Sequence, residues 1–392
     1  MTAASLPTSL DDATNSAILA VSEDQLQGFQ ADPFGVIAER TGLPAETAIE
    51  RVRALLECGT IRRVRQTVQA TKLAAGALVA WKVAPDKLDS AFEFMVIDDP
   101  FSGHVVLRST DAGAAGHDYR LWTTLKVPQG FDLRKHCDYL KQEMGAEAYI
   151  AMPAKRLFVL GVGHLRRRTI EPGSKAPVCA DAMTTDVVRL DTAQWRVLSA
   201  LKREFAPHEI RRNIWADRAG EAGLDIDSFV AVARRLEEHG LMGRFSTFLE
   251  HVKPLSTGER VTRYNALFHW QVPAGREIEA GREIGRHHIL THAYWREGGP
   301  AFDNVNVMAV AHGLDKALLL EHKRAIDEHL ASIGIEVGYT NVFWGGRSEI
   351  KPSEVLPAAY EAWCESAGID PTTMVEDHPL PVDGEGAGGG VA

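Results

Sequence analysis

Apolar residues recur at helical spacing through AETAIERVRALLE (45–57), and the run stops at Gly59. Glycine suits the left-handed turn that closes a helix. PFGVIAER (33–40) predicts a shorter helix before it, TGLP a turn, and TIRRVRQTVQ a strand or wing after it. Two helices, a tight turn and a wing make a winged helix-turn-helix. The pattern then changes to strand GALVAWKVA, helix DKLDSAFEFMV, strands SGHVVLRST and DYRLWTTLKV, helix DLRKHCDYLKQEMG and strand AYIAMP. The order β-α-β-β-α-β predicts a ferredoxin-like sandwich.

The pattern occurs twice. VRALLECGTIRRV (52–64) is matched by ARRLEEHGLMGRF (233–245), with Gly59 answering Gly240 and Arg63 answering Arg244. AWKVAP (80–85) is matched by HWQVPA (269–274), pairing Trp81 with Trp270, and HVVLR (104–108) by HAYWR (292–296). Three matches in one order at nearly constant spacing indicate two copies of one unit. In the second copy HEIRRNIWADRAG, LDIDSFVAVARRLEEHG and LMGRFSTFLEH form the helix-turn-helix and wing. ALFHWQVPA, GREIEAGREIGR, ILTHAYWRE, NVNVMAVAHG, DKALLLEHKRAIDEHLASIG and EVGYTNVFW complete its sandwich. The expected fold is α+β: two tandem copies of a winged helix-turn-helix plus a ferredoxin-like domain, forming an intramolecular pseudo-dimer. The expected boundaries are 12–70 and 71–168 for the first copy, and 188–252 and 253–352 for the second. A Pro/Ser/Thr-rich tether (169–187) joins them, and a tail (353–392) ends in the disordered PLPVDGEGAGGGVA.

Composition adds bounds. A chain of 392 residues exceeds one compact core, and 45% hydrophobic with 24% charged residues is ordinary for a globular protein. A net charge of −10 argues against a chain that coats nucleic acid. Cys58, Cys137, Cys179 and Cys364 form no C-x-x-C pair, so no metal site is expected and the thiols fit a reducing compartment. The N-terminus lacks a signal-peptide pattern and no apolar run reaches membrane length, so a cytoplasmic location without membrane contact is expected.

On a strand, alternate side chains share a face, which places His292, Tyr294 and Arg296 side by side and His104 with Arg108. An imidazole near its titration point and a guanidinium fork make a proton donor beside a carboxylate holder. The recognition helices start LPAETAIE, with Glu46 and Glu50, and LDIDSF, with Asp225 and Asp227, while Arg51, Arg53, Arg234 and Arg235 come later. Carboxylates there repel phosphate, so helices that only pack are expected and nucleic acid is an unlikely partner. Trp81 and Trp270 are expected core anchors, Cys58 and Cys137 packed helix residues, and His164 with Arg166–Arg168 a solvated basic stretch.

A winged helix joined to a ferredoxin-like domain resembles the feast/famine transcription regulators. HAYWR followed by NVNVMAVAHG resembles more closely the siroheme decarboxylases, whose H-x-Y-x-R strand precedes one that ends His-Gly. HVVLR followed by GHDYRLWTTLKVP resembles the sister subunit of that family, as do IRRVRQTVQATKLAAGALVAWKV and MPAKRLFVLGV. The resemblance implies a fusion of two subunits acting on siroheme or a related tetrapyrrole. It implies no cofactor beyond the substrate's iron and admits partner subunits of the same family. It makes His104 and His292 the proton donors. It assigns substrate binding to Arg108, Arg120, Arg296, Tyr119, Trp122, Tyr294, Asn306, His117, His312, Arg63 and Arg244, supported by Arg65 and Arg156. Val106, Arg120 and Val305 depart from the family pattern, which implies a specialised fusion, a shifted substrate or one inactive half-site. The alternatives are a transcription regulator that senses a tetrapyrrole and a carrier that binds one without turnover.

Overall fold

Alternation in GALVAWKVA sends Val79 and Trp81 to one side of a strand and Leu78 and Ala80 to the other, and all four are buried or partly so. A strand covered on both faces belongs to a central sheet. The computed structural model, which describes residues 6–161, 166–250 and 261–377, bears this out. Its strands are β1 Leu26–Gln27, β2 Ile61–Val68, β3 Ala74–Lys82, β4 Ser102–Ser109, β5 Tyr119–Pro128 and β6 Ala148–Pro153, then β7 Arg156–Leu160, β8 Met242–Leu249, β9 Tyr264–Gln271, β10 Leu290–Trp295, β11 Val307–Gly313 and β12 Tyr339–Ile350.

A nine-stranded sheet has the order β6-β3-β5-β4-β12-β9-β11-β10-β7. The first copy supplies β6-β3-β5-β4 and the second β12-β9-β11-β10, one order used twice with antiparallel neighbours. The halves join edge to edge through β4 and β12, where His104 faces Ile350 and Arg108 faces Gly345. At the far side β7 leaves the first copy and pairs with β10 of the second. Only Ala154 and Lys155 separate β6 from β7, so the first copy's chain passes directly from one end of the strand order to the other.

Helices Leu88–Ile97 and Leu133–Met144 cover the outside of the first half, and Glu277–Gly285 and Lys316–Ser332 that of the second. Trp81 and Trp270 anchor these two outer cores and are fully buried; their indole N–H groups donate to Thr123 Oγ1 (3.0 Å) and Asp327 Oδ1 (2.6 Å). A third core fills the inner face and draws on both halves: Ala80, Val106, Trp122 and Met152 with Leu267, Phe302, Val305, Met308 and Phe343. Trp122 lies 5.1 Å from the Phe343 ring and 5.4 Å from Phe302. Gly116 lets the Phe302 loop approach, because a Cβ there would sit 2.1 Å from the ring.

Several expectations are corrected. The two wings are not separate: β2 pairs with β8, and β1 adds to β8, in one three-stranded sheet. The helices that flank this sheet in the two copies share one core, including Phe34, Val52, Leu198, Trp215 and Phe245. HEIRRNIWADRAG yields only a 3-10 turn at Pro207–Glu209 and a short helix at Ala216–Glu221; Trp215 is buried instead, its Nε1 donating to the Gln30 carbonyl at 2.8 Å. The 169–187 segment is docked rather than a free tether. Ala176 and Ala180 amides donate to the Arg286 and Arg282 carbonyls, and Met183 exchanges backbone bonds with Leu157. Pro and Ser there mark an extended segment that finds its hydrogen bonds outside itself. Arg167 is buried, 3.3 Å from Asp24 and donating to the His288 carbonyl, so it is not solvated. His164 lies outside the described residues, as does the segment 378–392. The tail before it is ordered: helix Pro357–Ser366 packs Tyr360 and Cys364 into the first half's outer core. Among the described residues no helix is long and apolar enough to cross a membrane.

The shared inner core predicts that Trp122→Ala costs about 3–5 kcal/mol. Denaturant unfolding followed by circular dichroism checks this, and loss of the second half together with the first is the expected signature.

Candidate functional site

β4, β5 and β10 turn their polar alternates to the inner face, beside the core that joins the halves. On β10 the rings of His292 and Tyr294 stack at 6.1 Å, and the Arg296 guanidinium lies 4.4 Å from the Tyr294 ring centroid. On β4 His104 Nε2 meets Ser348 Oγ at 2.8 Å, and Arg108 is buried further along. His–Tyr–Arg and His–Val–Arg therefore line one surface, as strand alternation requires.

A row of hydrogen bonds crosses the sheet from one half to the other. Arg108 Nη1 donates to Asn265 Oδ1 (3.0 Å), and Asn265 Nδ2 lies 3.0 Å from His312 Nε2. His312 Nδ1 lies 3.3 Å from Thr291 Oγ1, which is 3.1 Å from His292 Nδ1 and 3.1 Å from the Val310 carbonyl. Arginine only donates, so Asn265 Oδ1 must accept and its amide nitrogen must donate to His312 Nε2. His312 then carries its proton on Nδ1 and gives it to Thr291, whose hydroxyl donates to the carbonyl. His292 Nδ1–H also points at Thr291. Gly345 stands between Arg108 and Asn265 in the register, and a Cβ there would lie 3.1 Å from Asn265 Cβ. Glycine keeps the row unobstructed.

The electrostatics are unusual. Burial pushes the Arg108 guanidinium down to about 9, and burial also lowers Arg296. Burial, with Arg296 nearby, pushes the Lys126 ammonium down to about 7. No carboxylate among the described residues acts on any of the three, and the Nε atoms of Arg108 and Arg296 have no hydrogen-bond partner. Buried guanidiniums without counter-charge, as Arg108 and Arg296 are among the described residues, cost several kcal/mol and suit a surface that receives an anion. Beside His312 lies a cavity of about 70 Å³, lined in part by Thr262, Gly313 and His322 and too small for a whole macrocycle. Among the described residues no group of three or more His, Cys, Asp or Glu is placed to hold a metal ion.

The other sequence candidates divide. Arg120 is exposed beside Arg108, whose carbonyl accepts from its Nε at 2.8 Å, and Trp122 shares its face. Tyr119 packs its ring 5.1 Å from Phe302. His117 is not brought to the site: it lies on an exposed loop, 3.1 Å from Asp118. Asn306 is a backbone clamp, its amide group bonded to both the N–H and the carbonyl of Val272 (2.8 and 2.9 Å). Arg63, Arg65 and Arg244 lie on the wing sheet instead of the inner face. Arg63 pairs with Glu204 (3.1 Å) and donates to the Ile350 carbonyl, while Arg65 and Arg244 flank the Phe248 ring. Arg156 folds onto the Lys155 carbonyl. Sequence reasoning missed Asn265, Thr291, Ser348 and Lys126. Alternation along NALFHWQ and RLWTTLK signals Asn265 and Lys126; Thr291 depends on the irregular register between Leu290 and His292, which no periodicity reveals.

His269 lies on this face too, fully buried, 5.0 Å from Phe343 and 6.0 Å from Trp122. Burial, then the charge of Arg108, pushes its imidazole down to about 3. A histidine held neutral in the native state binds its proton more readily when unfolded. Stability is therefore intact above the unfolded value near 6.5 and falls as pH drops below it. The expected loss between pH 7 and pH 5 is about 2 kcal/mol relative to His269→Phe, read by denaturant unfolding of both proteins.

Residues 73–158 match the family model described as AsnC-like ligand binding domain. A siroheme decarboxylase of Hydrogenobacter thermophilus is 25% identical over 72% of this chain and 78% of its own length. The siroheme decarboxylase alpha subunit of Desulfovibrio desulfuricans is 33% identical over 33% of this chain and 70% of that subunit. Two crystal structures of the siroheme decarboxylase NirDL share the fold, with TM-scores of 0.63 and 0.62 at 19% and 18% identity, each covering 90% of this chain and 97% and 99% of theirs. The second of these holds an iron-uroporphyrin III analogue. With a third of the residues identical across more than two thirds of the alpha subunit, this chain belongs to the siroheme decarboxylase family.

Proposed function

We propose that the chain is a siroheme decarboxylase, a carboxy-lyase that converts siroheme acetate side chains to methyl groups and yields didecarboxysiroheme for heme synthesis. It carries both subunit types as two winged helix plus ferredoxin-like copies in one pseudo-dimer. The repeated strand order and the paired wings support that reading of the architecture. The observation that carries the function is the pair of buried guanidiniums, Arg108 and Arg296, on which no described carboxylate acts.

The chemistry follows from these groups. Decarboxylation breaks the bond from the acetate methylene to its carboxylate, releases carbon dioxide and leaves an electron pair on a carbon conjugated with the pyrrole. A proton must then reach that carbon. Arg108 or Arg296 fixes the carboxylate by a two-pronged hydrogen bond, which orients the breaking bond toward the ring system. His292, held through Nδ1 by Thr291, offers Nε2 as the protonating nitrogen, and His104, whose Nε2 is held by Ser348, is the corresponding imidazole of the other half. The iron belongs to the substrate.

The recognition helices favour this reading over DNA binding. Arg53 donates to the Ile210 carbonyl of the other copy at 2.7 Å, Arg51 pairs with Asp12 at 3.3 Å, and Asp225 caps its own helix. These three charges are engaged within the chain, and the exposed Arg234 and Arg235 lie past the helix's first turn.

Anaerobic incubation of the purified protein with siroheme, followed by mass spectrometry, is expected to show stepwise loss of two carbon dioxide units. Arg108→Ala and His292→Ala are expected to lower kcat/KM by about 100-fold or more. An unchanged siroheme mass with the wild-type protein, or full activity in both variants, contradicts the proposal.

A further inference from the structure

The two halves do not present the same groups to the inner face. Val106 pairs with Trp122 on β5 as Tyr294 pairs with Met308 on β11. Four residues beyond Trp122 stands Lys126, and four beyond Met308 stands His312, so the lysine occupies in one half the place of the imidazole in the other. The next strand differs in step. Lys126 faces Gly76 where His312 faces Asn265. A Cβ on Gly76 would sit 2.5 Å from Lys126 Nζ, so the missing side chain is what gives the ammonium its position.

Lys126 shares the inner face with Trp122 by alternation and is partly exposed. Arg296 is near enough to repel it, and no described carboxylate offsets that repulsion. Arg296 in turn donates to the Met152 carbonyl of the first half and lies against the Tyr294 ring. A lysine from one half and an arginine from the other thus converge with like charge. Such a pair gains most from an anion with two oxygens, one held by the guanidinium fork and one by the ammonium.

We propose that Lys126, with Arg296 and Tyr294 of the other half, forms a carboxylate-binding subsite chemically unlike its counterpart, Arg108 with Asn265 and His312, and that it takes one acidic side chain of a tetrapyrrole. The identity of that ligand rests on the decarboxylase reading; the subsite itself rests on the converging cations. The Arg108 side has an imidazole wired to a second imidazole, whereas the Lys126 side sets an ammonium beside a guanidinium with no imidazole in the equivalent place. The subsite therefore anchors a side chain and sets the macrocycle's orientation.

The test is absorbance titration of the full chain with iron-uroporphyrin III, for wild type, Lys126→Met and Lys126→Arg. Methionine keeps the apolar stem, and an unchanged thermal melt shows that the fold is intact. Lys126→Met is expected to weaken binding by about tenfold or more, the weight of one charge-assisted hydrogen bond, and Lys126→Arg to restore most of it. Equal affinity of wild type and Lys126→Met overturns the subsite, as does an arginine variant as weak as the methionine one. Siroheme turnover separates the two readings. If wild type converts siroheme and Lys126→Met matches it in both binding and turnover, the subsite fails and the decarboxylase stands. If wild type binds iron-uroporphyrin III through Lys126 yet leaves siroheme intact, the subsite stands and the decarboxylase reading fails.

Discussion

Two buried arginines, on which no carboxylate among the described residues acts, are costly to hold, and contacts from the opposite half keep each in place. Arg108 and Arg296 are 4% and 5% exposed. An isolated guanidinium in such a place would draw in water or a neighbouring carboxylate. Here carbonyl and amide oxygens from the opposite half hold one nitrogen each, through Asn265 and Met152, and leave Nε without a partner. Neither half alone builds that environment. Pairing of the halves through β4–β12 and β7–β10 brings the opposite half's oxygens into reach.

The same pairing explains how a duplicated unit became two unequal ones. Where the first half pairs small Val106 with large Trp122, the second pairs large Tyr294 with slimmer Met308, so total volume across the inner core is kept while its chemistry is redistributed. The departure at Val106 is in this sense a packing exchange. Trp122 then reaches Phe302 and Phe343 of the other half and locks the two together. Asn265 against Gly76, and His312 against Lys126, extend the asymmetry to the polar row. Covalent fusion suits such divergence, since each half faces only one partner.

Much of this was legible in the residues. Helical and strand periodicities gave the element order of both copies, and alternation in HAYWR and HVVLR placed their histidines and arginines on one face. What periodicity could not show was where strands find partners beyond their own copy. Nothing in TIRRVRQTVQ says that it pairs with LMGRFSTFL, or in RLFVL that it crosses to the other half's edge, because such pairing is decided by which edges each copy leaves open. Asn306 and His117 misled for a related reason. A polar residue near a site motif looks functional until its neighbours are known, and here a backbone loop and Asp118 engage them. Arg63 and Arg244 recur at equivalent places because the wing sheet needs them, with Glu204 and Phe248 as their partners.

The central claim is that both buried guanidiniums exist to receive carboxylates of one bound macrocycle. A crystal structure of this chain with iron-uroporphyrin III tests it most directly. The account predicts carboxylate oxygens within about 3 Å of both Arg108 and Arg296, one from each end of the ligand. A macrocycle bound elsewhere, with the two arginines still holding only Asn265 and the Met152 carbonyl, would contradict it.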